Sequence, residues 1–175
     1  MPLAFLSFTL ELSWASVWFW VLCLIALVWA RRHLQINAAG ADPVLSPADA
    51  ERSSGPLPRL SVLVAGKDEE ANIERCLTGL LALDYPDLEV IVVNDRSSDR
   101  TGEIIDRLAA RDARLKAVHI RDLPPGWGGK SHAMHVGVSR ATGDWLCFTD
   151  ADCRFHEPRL LAAAVRFSQA EEVEF

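Results

Sequence analysis

Two aspartates one residue apart, Asp150 and Asp152, stand directly after the apolar run Trp145-Leu146-Cys147-Phe148 and Thr149. A short apolar run following the turn signal Ala141-Thr142-Gly143 reads as a central strand of an α/β sheet with both faces covered. In open sheets of that kind ligands sit beyond the carboxyl ends of the strands. Paired carboxylates there are hard oxygen ligands for Mg2+ or Mn2+, and such an ion can hold a diphosphate. Taken alone, Asp-x-Asp also suits a solvated loop. Two further groups have matching chemistry. Asp95 lies in the polar turn Asn94-Asp95-Arg96-Ser97-Ser98-Asp99, and Lys130 ends the glycine-rich loop Gly126-Trp127-Gly128-Gly129-Lys130. A metal and Lys130 would meet a diphosphate, with free N–H groups at a helix start adding dipoles, and Asp95 could accept a hydrogen bond from a nucleobase N–H. Singly, Asp95 fits an ordinary turn and Lys130 a solvated side chain.

Rival chemistries are excluded by spacing. A P-loop needs a glycine where Pro124 stands, and a dinucleotide fingerprint needs three glycines after the first strand, where Gly66 stands alone. His132 and His135 at i, i+3 have no third zinc ligand at a fitting distance along the chain and read as pocket-lining or surface residues. Trp127 is either a loop anchor or an aromatic lid.

The elements that must position these groups follow from the hydrophobic pattern. Of the 175 residues half are hydrophobic, enough for one sizeable core. A net charge of -6 and the absence of Lys/Arg clusters beyond Arg31-Arg32 exclude a nucleic-acid surface. Cys23, Cys76, Cys147 and Cys153 form no C-x-x-C pair and read as reduced packing residues. Residues 12–30 are almost all apolar and include Trp14, Trp18, Trp20 and Trp29. About 20 such residues cross a bilayer, with tryptophans favouring its interfaces. A cleaved signal peptide would place positive charge before the run, whereas Glu11 precedes it and Arg31-Arg32-His33 follow. Residues 1–33 are therefore read as a single-pass membrane anchor with everything after it cytoplasmic, and residues 34–59, rich in Ala, Pro, Ser and Asp, as a linker.

Residues 60–175 alternate strand and helix signals. Strands are expected at residues 60–65, 88–93 and 115–120 and before Asp150. Helices are expected after Asp68, after Ser98 or Asp99 (each a candidate cap), from Ser131 to Ala141 with Gly143 as its C′ residue, and from Glu157-Pro158 onward. This pattern predicts a Rossmann-like, mostly parallel sheet. If the order is 3-2-1-4, Ala65 to Lys67 face Asp150 and Asp152 across the crevice and Asp95 sits one strand away.

Residues 60 to about 170 resemble the nucleotide-binding half of the family 2 glycosyltransferases, which have the GT-A fold. The likeness rests on Val64-Ala65-Gly66-Lys67-Asp68-Glu69-Glu70, on Val93-Asn94-Asp95-Arg96-Ser97-Ser98-Asp99-Arg100-Thr101, on Gly129-Lys130, and on Ala141-Thr142-Gly143-Asp144 leading into Thr149-Asp150-Ala151-Asp152. Leu123-Pro124-Pro125-Gly126-Trp127-Gly128-Gly129-Lys130 is similar to membrane-anchored members that act on lipids, including hopanoid-associated and carotenoid glycosyltransferases. The resemblance implies that Asp95 contacts the base, Asp150 helps hold the nucleotide and Asp152 coordinates the metal, with Ala65, Lys67, Glu69 and Lys130 completing a donor site. It further implies inverting transfer of sugar from a nucleotide sugar of UDP type to a lipid or membrane-associated acceptor, with Mn2+ or Mg2+. The catalytic base and acceptor half are expected beyond Phe175, so the chain is expected to be a fragment or a truncation. A non-catalytic nucleotide-binding module and a nucleotidyltransferase on a similar fold are the alternatives.

Overall fold

The computed structural model describes residues 14–38, 45–51 and 55–170. The chain divides into two units, Met1–Val44 and Leu45–Phe175. In the first, helix α1 spans Trp14–Ala38. Its stretch Ser16–Leu34, 19 residues with a mean hydropathy of 1.5, is long and apolar enough to cross a membrane. The helix runs on past Ala30 through Arg31, Arg32 and His33, since arginine, leucine and glutamine are good helix formers. The start of the expected span, residues 12 and 13, lies outside the described residues.

The second unit holds four parallel strands, β1 (Leu60–Gly66), β2 (Leu88–Asp95), β3 (Leu115–Ile120) and β4 (Trp145–Asp150). They lie in the order β3-β2-β1-β4, the arrangement under which Ala65 to Lys67 face Asp150 and Asp152. Helices α2 (Ile73–Leu81), α3 (Thr101–Ala109), α4 (Gly129–Val138) and α5 (Leu160–Ala170) cover the sheet. Right-handed crossovers explain which face each takes. The chain steps outward from β1 to β3 with α2 and α3 on one face, and jumps back to β4 through α4 on the other. Leu60, Val62, Val64, Val90 and Val92 pack with α2, α3 and α5, whereas Ile91, Val93 and Ile120 pack with Ala133 of α4. Leu63 sits under α4, where Gly137 approaches it.

Four expectations are corrected. β4 is not central: among the described residues it pairs with β1 alone, its exposure alternates, and Leu146 and Phe148 are 42% and 53% exposed because α4 lies over β1 and β2. The segment expected as linker contains a 3-10 helix, Pro47–Glu51, which packs on α5 and places Glu51 3.1 Å from Arg159. Asp68 does not cap α2. Its backbone is left-handed (φ 55°), and its carboxylate accepts hydrogen bonds from the N–H and hydroxyl of Ser98 in the next loop at 2.7 and 3.1 Å. Gly143 is not the end of α4, which stops at Val138; it is a point of close approach, where a Cβ would lie 2.7 Å from the backbone N of Ser61 and 2.9 Å from the carbonyl O of Arg59.

Candidate functional site

The carboxyl ends of β1, β2 and β4 and the N-terminus of α4 surround a cavity of about 420 Å³. Its walls are Ala65, Gly66, Lys67, Glu69, Asp95, Arg96, Gly129, Lys130, Ala133, Asp150, Ala151 and Asp152. All seven residues singled out from the sequence, Ala65, Lys67, Glu69, Asp95, Lys130, Asp150 and Asp152, are brought together there. The register explains why: Ala65 is paired with Val93 on one side and with Asp150 on the other, so three strand ends stop at one level.

Two loops fix the floor of this crevice. Besides the Asp68 to Ser98 bonds, the Asp68 N–H donates to Ser97 Oγ at 2.9 Å and the Glu69 N–H to Thr101 Oγ1 at 2.8 Å. The Glu70 N–H reaches Asp99 Oδ2 at 3.0 Å, while the Glu70 carboxylate accepts from the N–H and Nε of Arg100. Asp99 also accepts from the N–H of Thr101 at 2.9 Å, so it satisfies the first turn of α3. The strand ends of β1 and β2 are thereby held at a set spacing.

Asp95 is 5% exposed, and the guanidinium of Arg96 grips its carboxylate, Nε to Oδ1 at 2.8 Å and Nη2 to Oδ2 at 3.0 Å. That bond holds the Asp95 carboxyl below the ordinary carboxylate range against the opposing effect of burial, with Lys67 and His132 adding to it. The first residue of α4 presses on this pair: a Cβ on Gly129 would lie 2.8 Å from Asp95 Oδ2 and 2.9 Å from Arg96 Nη2. Lys130, next along the helix, extends to Asp150 and donates to Oδ1 at 2.6 Å. The carboxylate raises the Lys130 ammonium above its usual value, so the amine is a full cation at neutral pH. Asp152 is exposed and makes no hydrogen bond or ion pair with another described residue. Asp150 is positioned through its backbone as well, its carbonyl accepting the thiol of Cys76 at 3.6 Å. Burial pushes that thiol up to about 12, which keeps it a neutral packing group.

Arg96 is the charged wall residue to which the sequence pattern assigned no role. The available signal was a basic residue directly following a strand-end acid, but the bidentate geometry depends on the left-handed backbone of Arg96 (φ 56°). The ring of Trp127 lies 5.4 Å from His132 and 5.1 Å from His135 between centroids and is 41% exposed. The two histidines thus support the glycine-rich loop. Among the described residues no three His, Cys, Asp or Glu side chains gather as a self-sufficient metal cluster.

Comparison with known proteins gives a consistent picture. The family model described as glycosyl transferase family 2 matches residues 61–173. The chain is 42% identical over 99 residues to a probable glycosyltransferase, YdaM, of Bacillus subtilis, covering 55% of this chain and 23% of that protein. It is 35% identical over 141 residues to a beta-monoglucosyldiacylglycerol synthase of Synechocystis, covering 79% of this chain and 28% of that protein. Among solved structures it is similar to a mannosyltransferase from Pyrobaculum calidifontis in complex with GDP-Man and Mn2+, with a TM-score of 0.59, 27% identity, and coverage of 81% of this chain and 39% of that one. The chain thus spans about a quarter of the length of these two curated relatives.

Proposed function

We propose, because the chain belongs to glycosyl transferase family 2, that its cavity binds a nucleoside diphosphate sugar and that the whole protein transfers the sugar to a hydroxyl of a lipid or other membrane-associated acceptor. The observation that carries this reading is the convergence of Asp95, Lys130, Asp150 and Asp152, which come from two separate strand ends and a helix start, on one cavity at the reversal point of the sheet. Ligands of α/β sheets bind at such reversals. The base is uracil, as the resemblance implies, or guanine, as in the mannosyltransferase complex; both present a ring N–H that the ionised Asp95 can accept.

Asp150 and Asp152 would hold Mn2+ or Mg2+. The fit rests on donor chemistry: two hard carboxylates share one wall, and Asp152 is unpartnered among the described residues. Such ions bind through one or two carboxylates and complete their sphere with phosphate oxygens and water. Bound there, the ion supplies charge neutralisation for the leaving diphosphate. Lys130 does related work with a hydrogen-bonding cation, turning from Asp150 to the diphosphate oxygens. The acceptor oxygen attacks the anomeric carbon opposite the diphosphate, the bond from that carbon to the diphosphate oxygen breaks, and the configuration inverts. The acceptor proton passes to a base other than Asp95, Asp150 and Asp152, whose carboxylates are committed to the nucleobase and the metal.

The apolar stretch Ser16–Leu34 and the likeness to a glucosyldiacylglycerol synthase support a membrane-bound acceptor, with Arg31 and Arg32 favouring the cytoplasmic side for the unit that follows. Titration calorimetry of the chain in detergent micelles with UDP and with GDP, each with and without Mn2+, tests the donor site. We expect metal-dependent binding of at least one. Binding of neither by a folded chain would refute it. Full-length protein given labelled nucleotide sugar on host membranes tests the acceptor, and label confined to water-soluble products would refute a lipid.

A further inference from the structure

We propose that Arg96 is a positioning residue for base selection: its guanidinium holds the Asp95 carboxylate as a fixed, acceptor-only group, which favours bases presenting a ring N–H, such as uracil and guanine, over cytosine, whose corresponding ring nitrogen is an acceptor. The inference rests on the donor-site reading above and concerns what makes that site selective.

Three observations carry it. The first is the bidentate fork, Nε to Oδ1 at 2.8 Å and Nη2 to Oδ2 at 3.0 Å, which fixes the carboxylate plane. An ionised carboxylate has about four acceptor directions, so the fork leaves others for a ligand. The second is the backbone. Arg96 sits at φ 56°, a region that non-glycine residues enter at a cost, and its N–H is held between the carbonyls of Asn94 and Ile120, each at 3.2 Å. That turn folds the arginine back onto the residue before it. The third is confinement. Gly129 leaves no room for a Cβ beside Asp95 Oδ2 and Arg96 Nη2, so the start of α4 closes the pair in from the side.

The other titratable groups that face Asp95 are Lys67 after β1 and His132 on α4, both of which favour its ionised form. Glu69, Lys130, Asp150 and Asp152 stand elsewhere on the same wall. None of these supplies a planar fork. Without Arg96 the carboxylate would keep part of its charge stabilisation but lose its fixed plane, and a partly protonated Asp95 could donate to cytosine.

The test is calorimetry on the full chain in micelles with Mn2+, using UDP, GDP and CDP as probes, for the wild type, Arg96→Gln and the conservative Arg96→Lys. The wild type should prefer UDP or GDP over CDP by about tenfold or more, the discrimination expected of one charge-assisted hydrogen bond. Arg96→Gln should weaken the preferred nucleotide and bring that ratio to about threefold or less, with Arg96→Lys in between. The affinity of Arg96→Gln relative to wild type should fall further from pH 7.5 to pH 5, a comparison in which titration of the diphosphate itself cancels. An unchanged base ratio together with a pH-independent mutant-to-wild-type ratio would overturn the inference while leaving the donor site standing. Failure of the folded wild type to bind UDP or GDP would overturn the donor site and this inference with it. If Arg96→Gln does not fold, Arg96→Lys alone decides, since a merely structural role would leave its base ratio at the wild-type value.

Discussion

Glu89 is a buried acid in the central strand β2, at the end of the sheet away from the cavity, and replacing it with glutamine should make the fold both weaker and less sensitive to acid. Its side chain is 3% exposed. It accepts hydrogen bonds from Ser61 Oγ and Lys116 Nζ, each at 2.5 Å, and from the N–H and hydroxyl of Thr142 at 2.6 and 3.0 Å. Burial opposes its charge, but bonds from Lys116, Ser61 and Thr142 outweigh that and bring the carboxyl down to about 2 from its ordinary 4.5. Each pKa unit corresponds to about 1.4 kcal/mol, so the ionised form contributes about 3 kcal/mol to the folded state. Because the folded value is depressed, this contribution is complete above pH 4.5 and is lost as the pH falls toward 2; about 2 kcal/mol of it is gone at pH 3. Glu89→Gln should cost about 2–4 kcal/mol at pH 7, since it leaves Lys116 unpaired and puts an amide where Thr142 donates. Urea unfolding of both proteins in micelles, followed by near-ultraviolet circular dichroism at pH 7, 5 and 3, measures the difference at each pH. That difference should shrink by about 2 kcal/mol between pH 5 and pH 3. A difference that stays constant across this range would refute the reasoning, because the other carboxylates titrate alike in both proteins.

Further outcomes follow from the same geometry. Gly143→Ala places a Cβ against the backbone of Ser61 and Arg59, neither of which can yield easily, and should lower stability by about 1–3 kcal/mol in thermal unfolding. Asp152→Asn should reduce Mn2+-dependent nucleotide affinity by tenfold or more in calorimetry with an unchanged circular dichroism spectrum, because the exposed carboxylate supports no fold contact among the described residues. Lys130→Met should weaken UDP or GDP by about tenfold but leave the unphosphorylated nucleoside unaffected, and should strengthen Mn2+ binding in the absence of nucleotide by freeing Asp150.

The sequence was legible where local pattern decides structure. Apolar runs located all four strands, polar turns located their ends, and alternation with helices implied a parallel sheet, whose order places Ala65 beside Asp150. It was illegible where side chains meet across distance. An exposed β4 face reads in sequence like a buried strand, since hydrophobicity alone does not say what covers it. Asp68 has the residue type and position of a helix cap, yet its left-handed backbone turns it to Ser98, and nothing local forces that choice. Gly143 follows a helix as a C′ glycine would, but the reason for glycine is the backbone of β1 behind it. Glu89 interrupts an apolar strand, and its partners Ser61, Lys116 and Thr142 come from three other segments.

The two ion pairs of the cavity bear on how donor and metal would bind. Asp95 is paired with Arg96 and Asp150 with Lys130, so these two carboxylates are already compensated whereas Asp152 is not. On the proposed reading, base binding adds a partner to Asp95 without breaking its fork, whereas the diphosphate end requires an exchange. Metal held by Asp150 would compete with Lys130 for that carboxylate and leave the ammonium unpaired; diphosphate would give the ammonium a new anionic partner but bring negative charge beside Asp150 and Asp152, which the metal would offset. Each ligand therefore removes a cost that the other meets when binding alone. By linkage the gain is reciprocal: metal raises nucleotide affinity by the same factor by which nucleotide raises metal affinity. Two exposed carboxylates alone would make a weak site, and on the proposed reading this coupling would reserve tight metal binding for the moment when a diphosphate is present to complete the coordination.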